Sequence, residues 1–196
     1  MALSKQAKVL SKGQVQALLG YVSRGRHGAR NRVIALLSVR AGLRAKEVAG
    51  LTWSMVTDPE GAVAADIRLE DRASKGRSGR VIPMNSELRE ALVALRQLQG
   101  GDRGKSQFVV KTQRSDRTSA QAIVNQFGRW YRELGFSGCS SHSGRRTAIT
   151  GWARRISNVG GSIRDVQVLA GHSALVTTQR YIEADAGAMR RVVELP

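Results

Sequence analysis

The chain has 196 residues, 41% of them hydrophobic, and its 32 Lys and Arg against 15 Asp and Glu give a formal net charge of +17. That length suits one well-buried domain and is short for two, and no run approaches the roughly 20 apolar residues of a membrane span. Cys139 is the only cysteine, which excludes an intrachain disulfide and a cysteine-based zinc site and points to a reducing compartment, while "MALSKQAKVLSKGQ" lacks the apolar core of a secretory signal.

Ser11 opens the first predicted helix, with Gln14 three residues on as its capping-box partner and Val15, Leu18 and Leu19 as its apolar stripe. A second helix is predicted from about Ala29 to Ala41, with Val33, Ile34, Leu37 and Ala41 inward and Gly42 ending it. A short helix from Ala45 to Gly50 follows. "WSMVT", "AVAADIRLE" and "RVIPM" read as three short strands, with turns at "DPEG" and "RASKGRSG". Leu88, Leu92 and Leu95 mark a helix from about Ser86 to Leu98, and "QFVV" fits a fourth strand or a buried connector. Ile123, Phe127, Trp130, Tyr131 and Leu134 mark another helix, from about Ser119 to Leu134. The helix after His142 places Ile149, Trp152, Ala153 and Ile156 on one face, and Arg145 shares it. After a "SNVGGS" loop, Ser162 caps a helix that Gly171 ends, and Ser173 caps a last short helix carrying Tyr181. The expected fold class is mainly α with a small antiparallel β-sheet, an α+β arrangement without alternating βαβ units.

The positive charge lies in four clusters: Arg24 to Arg32, Arg68 to Arg80, Arg103 to Arg117, and Arg145 to Arg155. Any one could be a solvated face. Four together, with few balancing acids, favour a surface that binds phosphates of a nucleic acid. His142, Arg145 and Arg146 pose a sharper question. Cations at a helix start oppose the helix dipole, and Arg145 is on the face that turns inward.

Arg44, Lys75, His142, Arg145, His172 and Tyr181 all fall at helix ends or turns beside apolar stripes. Taken singly, each has an ordinary structural reading. Together they suit the breaking of a DNA phosphodiester. Guanidinium groups bind phosphate bidentately and stay charged. Histidine and lysine move protons near neutral pH, and an activated tyrosine hydroxyl serves as nucleophile.

The sequence resembles the tyrosine recombinase (phage integrase) family across nearly its whole length. "AGLRAKEVAGLTW" resembles the first arginine box, which implies a catalytic Arg44 supported by Glu47. "SKGRSGRVIPM" resembles the hairpin of the catalytic lysine, Lys75; "HSGRR" resembles the H-x-x-R box, His142 and Arg145; "LAGHSALVTTQRYI" resembles the box joining His172 to the nucleophile Tyr181. The resemblance implies cleavage and rejoining of DNA through a 3′-phosphotyrosine, without metal or cofactor. Arg72, Arg77, Arg80 and Arg146 are candidate DNA contacts. The implied partners are double-stranded DNA and further copies of the chain, as dimer or tetramer, with no membrane. The expected setting is cytoplasmic, in a bacterium, phage or mobile element. A non-catalytic DNA-binding protein of the same fold and a type IB topoisomerase-like activity are the alternatives.

Two departures stand out. Gly144 occupies the place of the usual leucine, and Arg146 that of the usual second histidine. The expected organisation is an extension over 1–10, the catalytic domain over 11–185, and a tail over 186–196 that either packs on its own domain or docks on a neighbouring protomer. The usual N-terminal DNA-binding domain has no counterpart in this sequence, as in small single-domain recombinases or in an excised fragment.

Overall fold

The computed structural model describes residues 7–74, 78–100, 107–113, 115–182 and 193–194. Most of the 186–196 tail lies outside the described residues, as does its expected docking. Eight α-helices and one two-stranded sheet make up the regular structure there. The first helix, α1 (Lys12–Val22), starts at Ser11, whose hydroxyl accepts from Gln14 N–H while the Gln14 side chain accepts from Ser11 N–H. Leu10 and Val15 flank this cap and are both buried, the placing of a hydrophobic staple. The second helix, α2 (Gly28–Val39), has seven consecutive buried residues from Val33 to Val39 and packs against α1 and three later helices. Gly42, at φ +64°, turns the chain back so that Leu43 N–H bonds Leu37 C=O at 2.9 Å. Only glycine takes that conformation without strain.

The short helix α3 (Ala45–Gly50) follows within a few residues. The "WSMVT" segment is not a strand. It forms a 3-10 turn, Trp53–Met55, because Trp53 C=O is taken locally by Val56 N–H and by the Thr57 hydroxyl. Isolated bridges, Thr57 with Val63 and Thr52 with Phe108, are what remain of the wider sheet expected. The sheet proper pairs β1 (Asp66–Leu69) with β2 (Arg80–Pro83), antiparallel, with Leu69 opposite Arg80. "QFVV" is a connector that starts at an exposed Gln107 and ends in the buried Val109 and Val110.

Helices α4 (Ser86–Leu98) and α5 (Ala120–Glu133) are capped by the Asn85 and Ser119 side chains. From α5, Phe127 and Trp130 meet edge to face at 5.2 Å, a contact worth about 0.5–1.5 kcal/mol beyond its buried area. The last third holds α6 (Ser143–Ala153), α7 (Ile163–Ala170) and α8 (Leu175–Gln179). Part of the expected "SNVGGS" loop winds into a 3-10 turn, Ile156–Val159. Ile149, Val166 and Ala170 form a second small core there, with Trp152 and Tyr181 packed against it.

Tyr181 is not within the last helix. That helix is capped at Ala174 rather than Ser173, and it tightens at its end, where Tyr181 N–H bonds Thr178 C=O at 2.9 Å. The nucleophile candidate therefore stands on a turn two residues past α8.

Candidate active site

Arg145 lies in the first turn of α6 and is 3% exposed. Its guanidinium donates to Gly42 C=O, just past α2, and to Ala170 C=O, the last residue of α7, at 2.7 Å. Helix C-terminal carbonyls carry partial negative charge. The cation that opposes the dipole of its own helix is thus satisfied by the end of another. Arg145 Nη2 also meets His172 Nε2 at 3.0 Å.

Guanidinium nitrogens only donate, so His172 Nε2 accepts and Nδ1 carries the ring proton, which it gives to Thr178 Oγ1 at 2.9 Å. Burial, together with the charges of Arg145, Arg44 and Arg80, pulls the His172 pKa down to about 4. The ring is neutral at physiological pH. Burial and the neighbouring Arg44 likewise lower the Arg145 pKa.

Glu47, fully buried on α3, anchors the other side of the site. It binds Arg44 Nη1 at 2.9 Å, Arg44 N–H at 2.8 Å, and Arg80 at 3.0 and 3.2 Å. Burial by itself pushes the Glu47 pKa up, but the hydrogen bond and charge of Arg80, with those of Arg44, outweigh it and hold the carboxyl below its usual range. Arg44 keeps about a quarter of its side chain exposed. It opens on a cavity of about 620 Å³ that His172, Arg80 and Arg164 also line.

Arg80 was expected on the DNA-facing surface. Its side chain is instead 4% exposed, bridging Glu47 to Leu169 C=O at 2.9 Å. It lies so close to Gly171 that a Cβ there would meet its guanidinium at 2.8 Å. Arg72 is exposed beside Glu70. Lys75 and Arg77 lie outside the described residues. His142 precedes α6 with an exposed side chain that takes no part in the Arg145–His172 network. The Tyr181 ring stacks on His172, centroids 5.4 Å apart at 24°, and Arg146 stands over the same ring at 5.7 Å.

Three participants escaped the sequence reading. Thr178 fixes the His172 tautomer, and only its place between His172 and Tyr181 could have signalled it. Arg164 adds a cation to the cavity wall. Lys46 Nζ bonds Ser74 C=O at 2.9 Å, tying α3 to the residue before Lys75.

Gly144 has a physical reason. A Cβ there would fall 2.3 Å from Ser38 Oγ and 3.0 Å from Ser38 Cβ, so α6 can approach α2 only without a side chain. Gly144→Ala is expected to lower stability by about 1–3 kcal/mol, read by thermal unfolding. Ser38→Ala in the same chain recovers part of the loss by removing the nearer atom.

The fold thus gathers Arg44, Arg80 and Arg145 around Glu47 and His172, with the Tyr181 ring stacked on His172. The phage integrase family profile matches residues 8–187, and the chain belongs to that family, the tyrosine recombinases. It is similar to tyrosine recombinase XerA of Thermococcus kodakarensis, 27% identical over 187 residues, covering 95% of this chain and 62% of the relative. The chain thus spans under two thirds of that relative's length. A crystal structure of XerA recombinase matches with TM-score 0.73 at 23% identity, over 94% of this chain and 63% of that one. XerH site-specific recombinase bound to difH substrate, in a pre-cleavage complex, matches with TM-score 0.72 at 18% identity, over 100% and 56%. These structural likenesses show the fold. No helix among the described residues is long and apolar enough to cross a membrane.

Proposed function

We propose that the protein is a site-specific DNA recombinase in which Tyr181 attacks the scissile phosphate. The Tyr181 oxygen bonds to phosphorus, the bond to the 5′-oxygen breaks, and a 3′-phosphotyrosine and a free 5′-hydroxyl result. Arg44 and Arg145 hold the nonbridging oxygens and offset the charge that develops on them. Lys75, assigned from the sequence, delivers the proton to the leaving 5′-oxygen, and His142 assists removal of the phenol proton. A 5′-hydroxyl from a partner strand then reverses the step and releases Tyr181. His172 adds a hydrogen bond to the phosphate once that anion offsets the cations that depress its pKa.

The observation that carries this reading is the chain of contacts Arg145–His172–Tyr181, which sets a tyrosine beside a buried phosphate-type cation cluster. The other two tyrosines do not suit the role. Tyr131 is 1% exposed, and burial raises its pKa. The Tyr21 hydroxyl donates to Glu133 on α5, which raises its pKa as well.

Family membership, with XerH site-specific recombinase bound to its difH substrate, supports duplex DNA as the substrate here, with the exposed basic clusters following its backbone and further copies of the chain assembling on it. The test is a nicked duplex that traps cleavage. Wild type is expected to give a denaturant-resistant DNA adduct that forms equally well in excess chelator, and Tyr181→Phe none. No wild-type adduct, or one that needs a divalent metal, overturns the reading.

A further inference from the structure

Arg146 stands where the family resemblance expects a histidine, and the structure gives it a neighbour that its sequence cluster does not suggest. Its guanidinium carbon lies 5.7 Å over the Tyr181 ring. We propose that Arg146 is a positioning residue for the Tyr181 nucleophile rather than a contact to DNA phosphate. This rests on the proposed strand-cleavage reading.

The turn that carries Tyr181 is short. It is held by Tyr181 N–H to Thr178 C=O and by packing on the small core of Ile149, Val166 and Ala170. The ring itself is half-buried and stacks on His172. A guanidinium, always charged and planar, adds attraction for the ring face that a neutral side chain lacks. Arg146 is also the neighbour in sequence of Arg145, whose guanidinium is pinned by Gly42, Ala170 and His172. One helical turn therefore holds both the cation of the phosphate cradle and the residue over the nucleophile. The ring is indexed to the cradle through a single rigid element, α6.

The experiment compares wild type with Arg146→Gln and Arg146→Lys. Adduct formation is followed in single turnover at saturating nicked duplex, and DNA affinity separately. Arg146→Gln is expected to slow the saturated rate about five- to tenfold, with affinity within about twofold and an unchanged salt slope, and Arg146→Lys to recover most of the rate. A phosphate contact would do the opposite, weakening affinity and reducing the salt slope by about one while sparing the saturated rate; that result overturns the proposal, as does a Lys variant as slow as the Gln variant.

A readout independent of catalysis keeps the two readings apart. The chain has three tyrosines, so ring signals of Tyr181 in tyrosine-labelled, DNA-free protein are identified by their loss in Tyr181→Phe. The ring-current shift imposed by His172 is expected to shrink in Arg146→Gln and persist in Arg146→Lys. An unchanged shift in both overturns the positioning role. A wild type that forms no adduct overturns the recombinase reading alone, and the shift still decides the role of Arg146.

Discussion

Replacing Arg145 by lysine is expected to slow covalent attachment to DNA by about 10²–10³-fold at saturating substrate, the scale of losing one preorganised donor at a site of developing charge. An ammonium keeps the charge but not the fork. Arg145 uses Nη1 for Gly42 C=O and Nη2 for Ala170 C=O and His172, and no single ammonium reproduces that geometry. Arg145→Ala adds a cost in stability. It leaves two buried carbonyls without their donor, at about 1–3 kcal/mol each, and removes the hydrogen bond that sets the His172 ring. Single-turnover cleavage and thermal unfolding measured on both variants separate the two effects. The rate falls in both, and the melting temperature falls mainly in the alanine variant.

Glu47→Ala is expected to be the most destabilising single change in the site, at about 3–5 kcal/mol, because it strands Arg80 as an uncompensated buried cation. For a chain of this size that corresponds to a drop of roughly 10 °C in melting temperature. Glu47 and His172 also make the domain acid-sensitive. The Glu47 pKa is lower in the folded than in the unfolded chain, so its contribution is full above the unfolded value and is lost as pH falls through the folded one. His172 acts in the same direction. Its folded pKa of about 4 lies below the ordinary 6.5, so between those values the unfolded chain binds the proton more readily, and stability falls with pH. Unfolding followed from pH 7 downward is expected to show a loss in wild type that begins with His172 below its ordinary 6.5 and continues with Glu47 only below its ordinary 4.5. In Glu47→Gln the carboxylate part of that slope disappears, and the starting stability is lower.

Local signals made much of this fold legible. The Ser11–Gln14 capping box, the leucine spacing of α4 and the glycine stop at Gly171 depend on residues within a few positions, and these elements lie where their patterns put them. "WSMVT" misled because its apolar, β-prone composition says nothing of a carbonyl spent on a local turn. Arg80 misled for the opposite reason. It falls in a run of cations of which Arg68 and Arg72 are exposed, and its burial depends on Glu47, 33 residues earlier.

Within the site, the boxes point to Arg44, Arg145, His172 and Tyr181 but not to the partners that Arg145 and His172 have in the structure. The apparent electrostatic fault at the start of α6 proves to be satisfied within the protein, by the carbonyl that ends α7 and another just past α2. No reading of "HSGRR" alone could supply those two atoms, which come from residues 25 and 103 positions away. Gly144 is similar: a weak helix former in the sequence, and in space the only fit against Ser38.

The central claim, that Tyr181 becomes covalently bound to DNA, is tested most directly by locating the attachment. Protein trapped on a nicked duplex is digested with nuclease and protease, and the modified peptide is sequenced by mass spectrometry. The nucleotide is expected on Tyr181, joined through a 3′-phosphate. Its presence on any other residue, or a 5′-phosphate linkage, would contradict the account.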